Sequence, residues 1–300
     1  MNLSDKYRIN EPLGQRGRKF GDNFLGERKS DGLKVVLKTI RRNSQTSLAE
    51  ERLMNESRYS FMSAGLPEIL DIYTSESEII MVKRFQNGIP LNGYWRTIKK
   101  RERIKFLIQL FDGLIPIFQI LEEKKIVHAD IKPGNILFHE GMDQNIKVEI
   151  IDFGLAIERT NIEQRKLVFP LGYAAPELLL NQLDIIDQRT DIFALGVSIW
   201  ALYADKLPLT HPNPSIFTNL QLTHPILRND SVPRSIFKLI EKMTVKHQFA
   251  TAPNKMNPSE VREKLLSAMN ERINSIQKIR DELIEIDNRG FLPKNIFSKS

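Results

Sequence analysis

Between Tyr7 and Ile40 apolar and polar residues alternate and glycines punctuate the run, a period of two that predicts short antiparallel strands. The rhythm changes at Ser47. Leu48, Leu53, Met54 and Phe61 can share one face of a helix predicted over Ser47–Ser63, with Ser47 as N-cap and Glu50 completing a capping box. Ala64-Gly65-Leu66-Pro67 supplies the stop. Alternation returns at Ile69–Thr74 and Glu78–Lys83. Helical spacing dominates beyond residue 100. Ile104, Leu107, Ile108, Phe111, Leu114, Ile115, Phe118 and Leu121 make a wide apolar stripe between Arg101 and Lys124, which Pro116 is expected to bend or split. From Pro258 to about Asp287 the residues Val261, Leu265, Met269, Ile273, Ile276, Ile279, Leu283 and Ile286 recur every three or four positions, predicting one long amphipathic helix.

The 300 residues suffice for one large domain or two medium ones, and the 41% apolar and 27% charged shares are those of an ordinary globular protein. Cysteine is absent, which excludes disulfides and thiolate metal sites. The first residues lack the apolar core of a signal peptide, and no run approaches the roughly 18 apolar residues of a membrane span. The expectation is a cytoplasmic protein without a membrane span. Net charge is +7, with basic clusters at Arg16-Gly17-Arg18-Lys19, Arg41-Arg42 and Lys99-Lys100-Arg101. Solvated loops and helix faces account for the last two; the first falls inside a Gly-rich run. Zinc-finger spacing and aromatic RNA-binding motifs are missing, so no nucleic acid partner is expected.

Candidate chemistry concentrates between Ile126 and Gly154. His128, Asp130, Lys132 and Asn135 lie close together, and Asp152-Phe153-Gly154 follows, each group bracketed by apolar, strand-like residues. The spacing Asp-x-Lys-x-x-Asn followed by Asp-Phe-Gly resembles the eukaryotic-type (Hanks-type) serine/threonine protein kinases. The resemblance implies an α+β, bilobal fold with a single kinase domain over 1–270. A small five-stranded antiparallel lobe with one key helix would occupy about 1–86 and a larger, mainly helical lobe about 88–270. Residues 271–300 would form a C-terminal helical extension. It also implies ATP and Mg2+, with a protein as substrate. Asp130 would accept the substrate hydroxyl proton, Lys132 would offset charge on the transferred group, and Asn135 and Asp152 would ligate the metal. His128 would be a structural hydrogen-bonder beside Phe153.

The same resemblance assigns nucleotide contacts to Leu13, Gly14, Gly17, Gly21, Lys38 and Glu56. Glycines let backbone N–H groups approach phosphate oxygens, although the spacing Gly-x-x-Gly-x-x-x-Gly departs from Gly-x-Gly-x-x-Gly. Asn23 stands where a valine usually covers adenine, and Val36 where alanine is usual. Alternation puts Val36 and Lys38 on one strand face and Val35 and Leu37 on the other. Glu56 has the best spacing to pair with Lys38; Glu50 and Glu51 are alternatives. Arg84-Phe85-Gln86-Asn87-Gly88 resembles the connector between lobes. Either Lys83 or Val82 takes the gatekeeper position ahead of it.

Several departures concern control. Ala129 replaces the arginine that would receive a phosphate on the activation segment, so activity independent of such phosphorylation is expected. Thr160 is the only Ser or Thr between Gly154 and Pro176. Gly172-Tyr173-Ala174-Ala175-Pro176-Glu177 resembles the motif closing that segment, with Phe169-Pro170 in place of Gly-Thr. Asp191 heads an apolar helix as a cap or as anchor of the catalytic loop. Lys255 or Arg262 would pair with Glu177. The helix 258–287 would pack on the large lobe or serve self-association or a partner. The function implied is an ATP-dependent protein serine/threonine kinase. A nucleotide-binding pseudokinase scaffold and a small-molecule kinase of the aminoglycoside or choline type are the alternatives.

Overall fold

A computed structural model describes residues 2–14, 20–140, 146–162 and 169–291. The architecture is α+β and bilobal. Five antiparallel strands, β1 (Tyr7–Pro12), β2 (Asp22–Arg28), β3 (Lys34–Arg41), β4 (Ile69–Thr74) and β5 (Glu78–Arg84), form one sheet in the order β1-β2-β3-β5-β4. Side chains alternate between its faces as a period of two requires. Val35, Leu37, Ile80 and Val82 pack with Tyr7 on one face. Ile40, Ile79 and Met81 meet Ala49 and Leu53 of the helix Ser47–Glu56 on the other.

That helix differs from its expected form at both ends. Its N-cap is Thr46, whose hydroxyl meets Glu50 Oε1 at 2.8 Å. It stops at Glu56 rather than Ser63, because the chain then turns Tyr59 and Phe61 into the interior beside Phe153. Met54 is exposed and takes no part in the apolar face.

The helix Arg103–Glu123 forms the spine of the large half, burying Phe106, Leu107, Leu110, Phe111, Leu114, Ile117, Phe118 and Leu121. It runs unbroken through Pro116. Pro116 and the residue four before it, Asp112, are both exposed, so water can satisfy the carbonyl left without its N–H donor. Contrary to expectation, residues 100–123 are long and apolar enough to cross a membrane by length and composition. In the fold this helix is a core element.

The helix expected from 258 to 287 is two helices, Pro258–Glu271 and Ile276–Phe291. The break lies at Arg272, whose backbone is extended, and Ser275 restarts the turn by accepting from Lys278 N–H at 3.2 Å. Ile276, Ile279 and Leu283 of the last helix join the core that surrounds Arg103–Glu123. Its apolar face is therefore occupied within the chain.

Candidate active site

Lys38 sits on β3 opposite Met81 and points off the sheet toward the helix Ser47–Glu56. Its Nζ lies 2.6 Å from Glu56 Oε2, and Glu56 is fully buried. Glu56 is thus the residue that meets Lys38; Glu50 instead meets Arg42. Its second oxygen is taken too. Lys83 Nζ lies 2.7 Å from Glu56 Oε1, with only 12% of the Lys83 side chain exposed. Lys83 follows Ile79 and Met81 on the helix-facing side of β5, whereas Val82 packs on the opposite face. Lys83 therefore occupies the position that sequence left open between these two.

Burial works to raise the Glu56 carboxyl, but Lys38 and Lys83 outweigh it and hold the group below its ordinary range. Lys38 shows the converse: burial would lower it, while Asp152 and Glu56 keep it protonated far above neutrality. Asp152 Oδ1 lies 3.7 Å from Lys38 Nζ. Burial tends to raise Asp152 as well, but the surrounding Lys38, Lys83 and Lys132 hold it well below the carboxylate range.

The opposite wall comes from the loop 128–135. Lys132 Nζ bridges both Asp130 oxygens at 3.0 and 2.9 Å. Asp130 is almost fully buried, and that burial raises its proton affinity against the pull of Lys132. Asn135 Nδ2 donates to Asp130 O at 2.8 Å, and Ile151 N–H donates to Asn135 O at 3.0 Å. These bonds link the two segments that bear Asn135 and Asp152. The Asn135 amide oxygen and the ionised Asp152 carboxylate are few, hard donors, as suits a Mg2+ ion that retains waters and shares phosphate oxygens. Among the described residues no three His, Cys, Asp or Glu side chains form a metal cluster.

The loop is held from below. Ala129 has a left-handed backbone, φ 60°, which costs a residue with a Cβ. Asp191 stabilises this turn by accepting from His128 N–H at 2.8 Å and Ala129 N–H at 2.9 Å. Asp191 is not the helix cap; Asp187 fills that role by accepting from Arg189 N–H. His128 is buried and stacks edge-on against Phe153, with ring centroids 4.6 Å apart. Its Nδ1 accepts from Asp130 N–H at 3.2 Å while Nε2 faces Ile151 O at 3.1 Å. Those two partners select the neutral tautomer protonated at Nε2.

Three contributors escaped the sequence reading. Asn55 Nδ2 donates to Gly154 O at 3.1 Å and Ala156 O at 2.9 Å, and Tyr59 Oη donates to Ala156 O at 3.1 Å. They tie the Glu56 helix directly to the Asp-Phe-Gly turn. The third is Arg272, which meets Glu177 through two bonds of 2.6 and 3.0 Å, both side chains being fully buried. Neither expected partner does this: Lys255 is exposed and Arg262 pairs with Asp184. Asn274-Ser275, a pair favoured as helix caps, was the available signal that the chain turns just after Arg272.

Gly14 and Gly21 adopt positive φ, 87° and 94°, and a Cβ on Gly21 would meet Thr39 O at 2.6 Å. Leu13 is 37% exposed at the start of this turn. Gly17 and its basic neighbours lie outside the described residues.

Comparison with known proteins identifies the family. The chain is 26% identical over 231 residues to Fer-related kinase 1 of Caenorhabditis elegans, covering 75% of this chain and 55% of that protein. It is 30% identical over 252 residues to the sucrose non-fermenting protein kinase 1 of Fusarium virguliforme, covering 80% and 34% respectively. It is 29% identical over 222 residues to the carbon catabolite-derepressing protein kinase of Saccharomyces cerevisiae, covering 71% and 33%. The matches thus span between a third and just over half of these relatives' own lengths. The family model for the protein kinase domain matches residues 7–272, and the chain belongs to that family.

Proposed function

We propose that the protein transfers the γ-phosphate of ATP to a serine or threonine hydroxyl of a protein. The observation that carries this reading is the assembly, in one cleft, of the buried Lys38–Glu56 pair with the Asp130–Lys132 pair. Lys38 would hold the nucleotide phosphates while Glu56 holds Lys38. Asp130 would orient the substrate hydroxyl and take its proton as the oxygen attacks phosphorus in line and the bond to the β-phosphate oxygen breaks. Lys132, within reach of Asp130, would offset the charge on the moving phosphoryl group, and its presence supports Ser/Thr as acceptor. Asn135 and Asp152 would hold Mg2+, which would supply positive charge to offset that of the phosphates.

Two features support activity without phosphorylation of the activation segment. Asn55 and Tyr59 already tie the Glu56 helix to the Asp-Phe-Gly turn. Ala129 belongs to a buried apolar cluster with Val127, Leu155, Ile157 and Phe169, so at residue 129 apolar packing stands where an arginine–phosphate pair would otherwise act. The test is incubation of wild type and Asp130→Asn with labelled ATP, Mg2+ and generic protein substrates. Label on Ser or Thr that disappears in the variant supports the reading. ATP binding with equal silence in both would mean a scaffold, and phosphorylation of aminoglycosides or choline alone would mean a small-molecule kinase.

A further inference from the structure

A cavity of about 450 Å³ opens beside the catalytic loop at Lys132, Pro133 and Gly134. Its other walls carry Arg96, Arg103 and Lys206, with Asp205 as the only carboxylate among the described residues that line it. Arg96 is paired with Asp205 at 2.9 Å, and Lys132 with Asp130. Among the described residues Arg103 and Lys206 have no carboxylate partner. Arg103 is held by stacking instead: its guanidinium carbon lies 4.7 Å from the Trp95 ring centre and 5.6 Å from that of Tyr203. Its Nε is buried without a hydrogen-bond acceptor. Trp95 and Tyr203 are themselves buried, which fixes the platform. A guanidinium fixed in this way presents planar donors suited to a carboxylate, at little further cost in side-chain freedom. Lys206 is exposed at the rim.

We propose that this cleft receives the part of the substrate that flanks the phosphorylated hydroxyl, and that it selects segments rich in Asp and Glu. The proposal rests on the kinase reading above for its substrate, and it adds the charge of that substrate. A surplus of cations next to Lys132 concentrates acidic chains near the reacting hydroxyl and repels basic ones. The preference weakens with salt, because Lys206 is solvated.

The test uses the full chain and peptides sharing one serine, flanked by Glu and Asp, by Gln and Asn, by Arg and Lys, or by phosphoserine. The expected kcat/KM for the acidic peptide exceeds that for the neutral one by about tenfold, with the basic peptide last. Lys206→Glu reduces the preference, and Arg103→Glu with Lys206→Glu inverts it. A wild-type preference for basic peptides, or an order unchanged in both variants, would overturn the inference. So would a preference confined to the phosphoserine peptide. Anisotropy of the same labelled peptides on Asp130→Asn separates this inference from the kinase reading. Acid-selective binding that Lys206→Glu weakens, without turnover of any peptide, sinks the kinase reading alone. Turnover indifferent to flanking charge sinks this inference alone.

Discussion

Replacing Lys83 by methionine keeps the length and apolar stem of the side chain and removes one of the two ammonium groups that meet Glu56. The wild-type geometry sets the size of the effect. Glu56 is fully buried and uses one oxygen for Lys38 at 2.6 Å and the other for Lys83 at 2.7 Å. A hydrogen bond to a charged group contributes about 1.5–3 kcal/mol. Part of this is offset, because Lys83 no longer has to be desolvated and Glu56 still has Lys38 as counter-charge. The expected net loss is about 1–2 kcal/mol, or a fall in Tm of about 2–3 °C for a chain of 300 residues. Glu56→Gln should cost more, about 3–5 kcal/mol, since it leaves Lys83 without its carboxylate and Lys38 with only the more distant Asp152.

Chemical denaturation and ATP titration on wild type, Lys83→Met and Lys83→Arg are the assays. Lys83 also holds the far oxygen of the carboxylate that positions Lys38, so Lys83→Met should raise the KM for ATP. Lys83→Arg should recover part of both effects. A Lys83→Met protein as stable as wild type, with unchanged KM, would refute the idea that this second lysine anchors the Glu56 helix. It would then be a buried charge whose pairing only balances its own desolvation.

Asn55→Leu removes the amide that donates to Gly154 O and Ala156 O, leaving buried carbonyls short of a donor; a loss of about 1–3 kcal/mol in denaturation and a lower kcat are expected. Arg272→Met strands the buried Glu177 carboxylate and should cost about 3–5 kcal/mol, whereas Arg262→Met, at an exposed pair, should change stability by less than about 1 kcal/mol. Thr160→Ala should leave turnover nearly unchanged, since Thr160 is exposed and among the described residues its hydroxyl bonds Glu158; a large drop in kcat would show that the segment does need a phosphate. Burial depresses His128 to about 4, so the unfolded chain binds its proton first as pH falls. The histidine's stabilisation is complete above about pH 6.5 and is lost toward pH 4, a loss of about 3 kcal/mol. Asp191, pushed up to about 7 by burial, contributes with the opposite sign in the same window. The difference between wild type and His128→Asn denaturation profiles isolates the histidine, and parallel profiles would contradict the assignment.

What sequence reveals here depends on how far apart the cooperating residues lie. Asp130, Lys132 and Asn135 are neighbours on one loop, and their spacing alone brings them together. The strands are equally legible, because one alternating run writes both faces of the sheet. Lys83 and Val82 were not separable, since in a strand one residue of slip exchanges the two faces. Only the pairing of Val36 with Lys83 and Leu37 with Val82 fixes which side each takes. Asn55 reads as one more polar position on an amphipathic helix; its role depends on carbonyls about a hundred residues away.

Arg272 shows the limit most clearly. Apolar residues continue every three or four positions through Met269, Ile273 and Ile276, so a helical period crosses the break without interruption. The chain leaves the helix because an extended residue carries the guanidinium inward, where Glu177 and Val245 O accept its hydrogen bonds. Thr190 adds a bond to the same carboxylate at 2.9 Å, just before Asp191 on the helix that holds the catalytic loop. A buried ion pair is costly to desolvate and gives little net stability over apolar packing, but its geometry is specific. Here it links three segments beneath Asp130: the end of the activation segment, the Asp191 helix and the turn at Arg272. Local period reports whether a helix can form, while that long-range pair decides where it must stop.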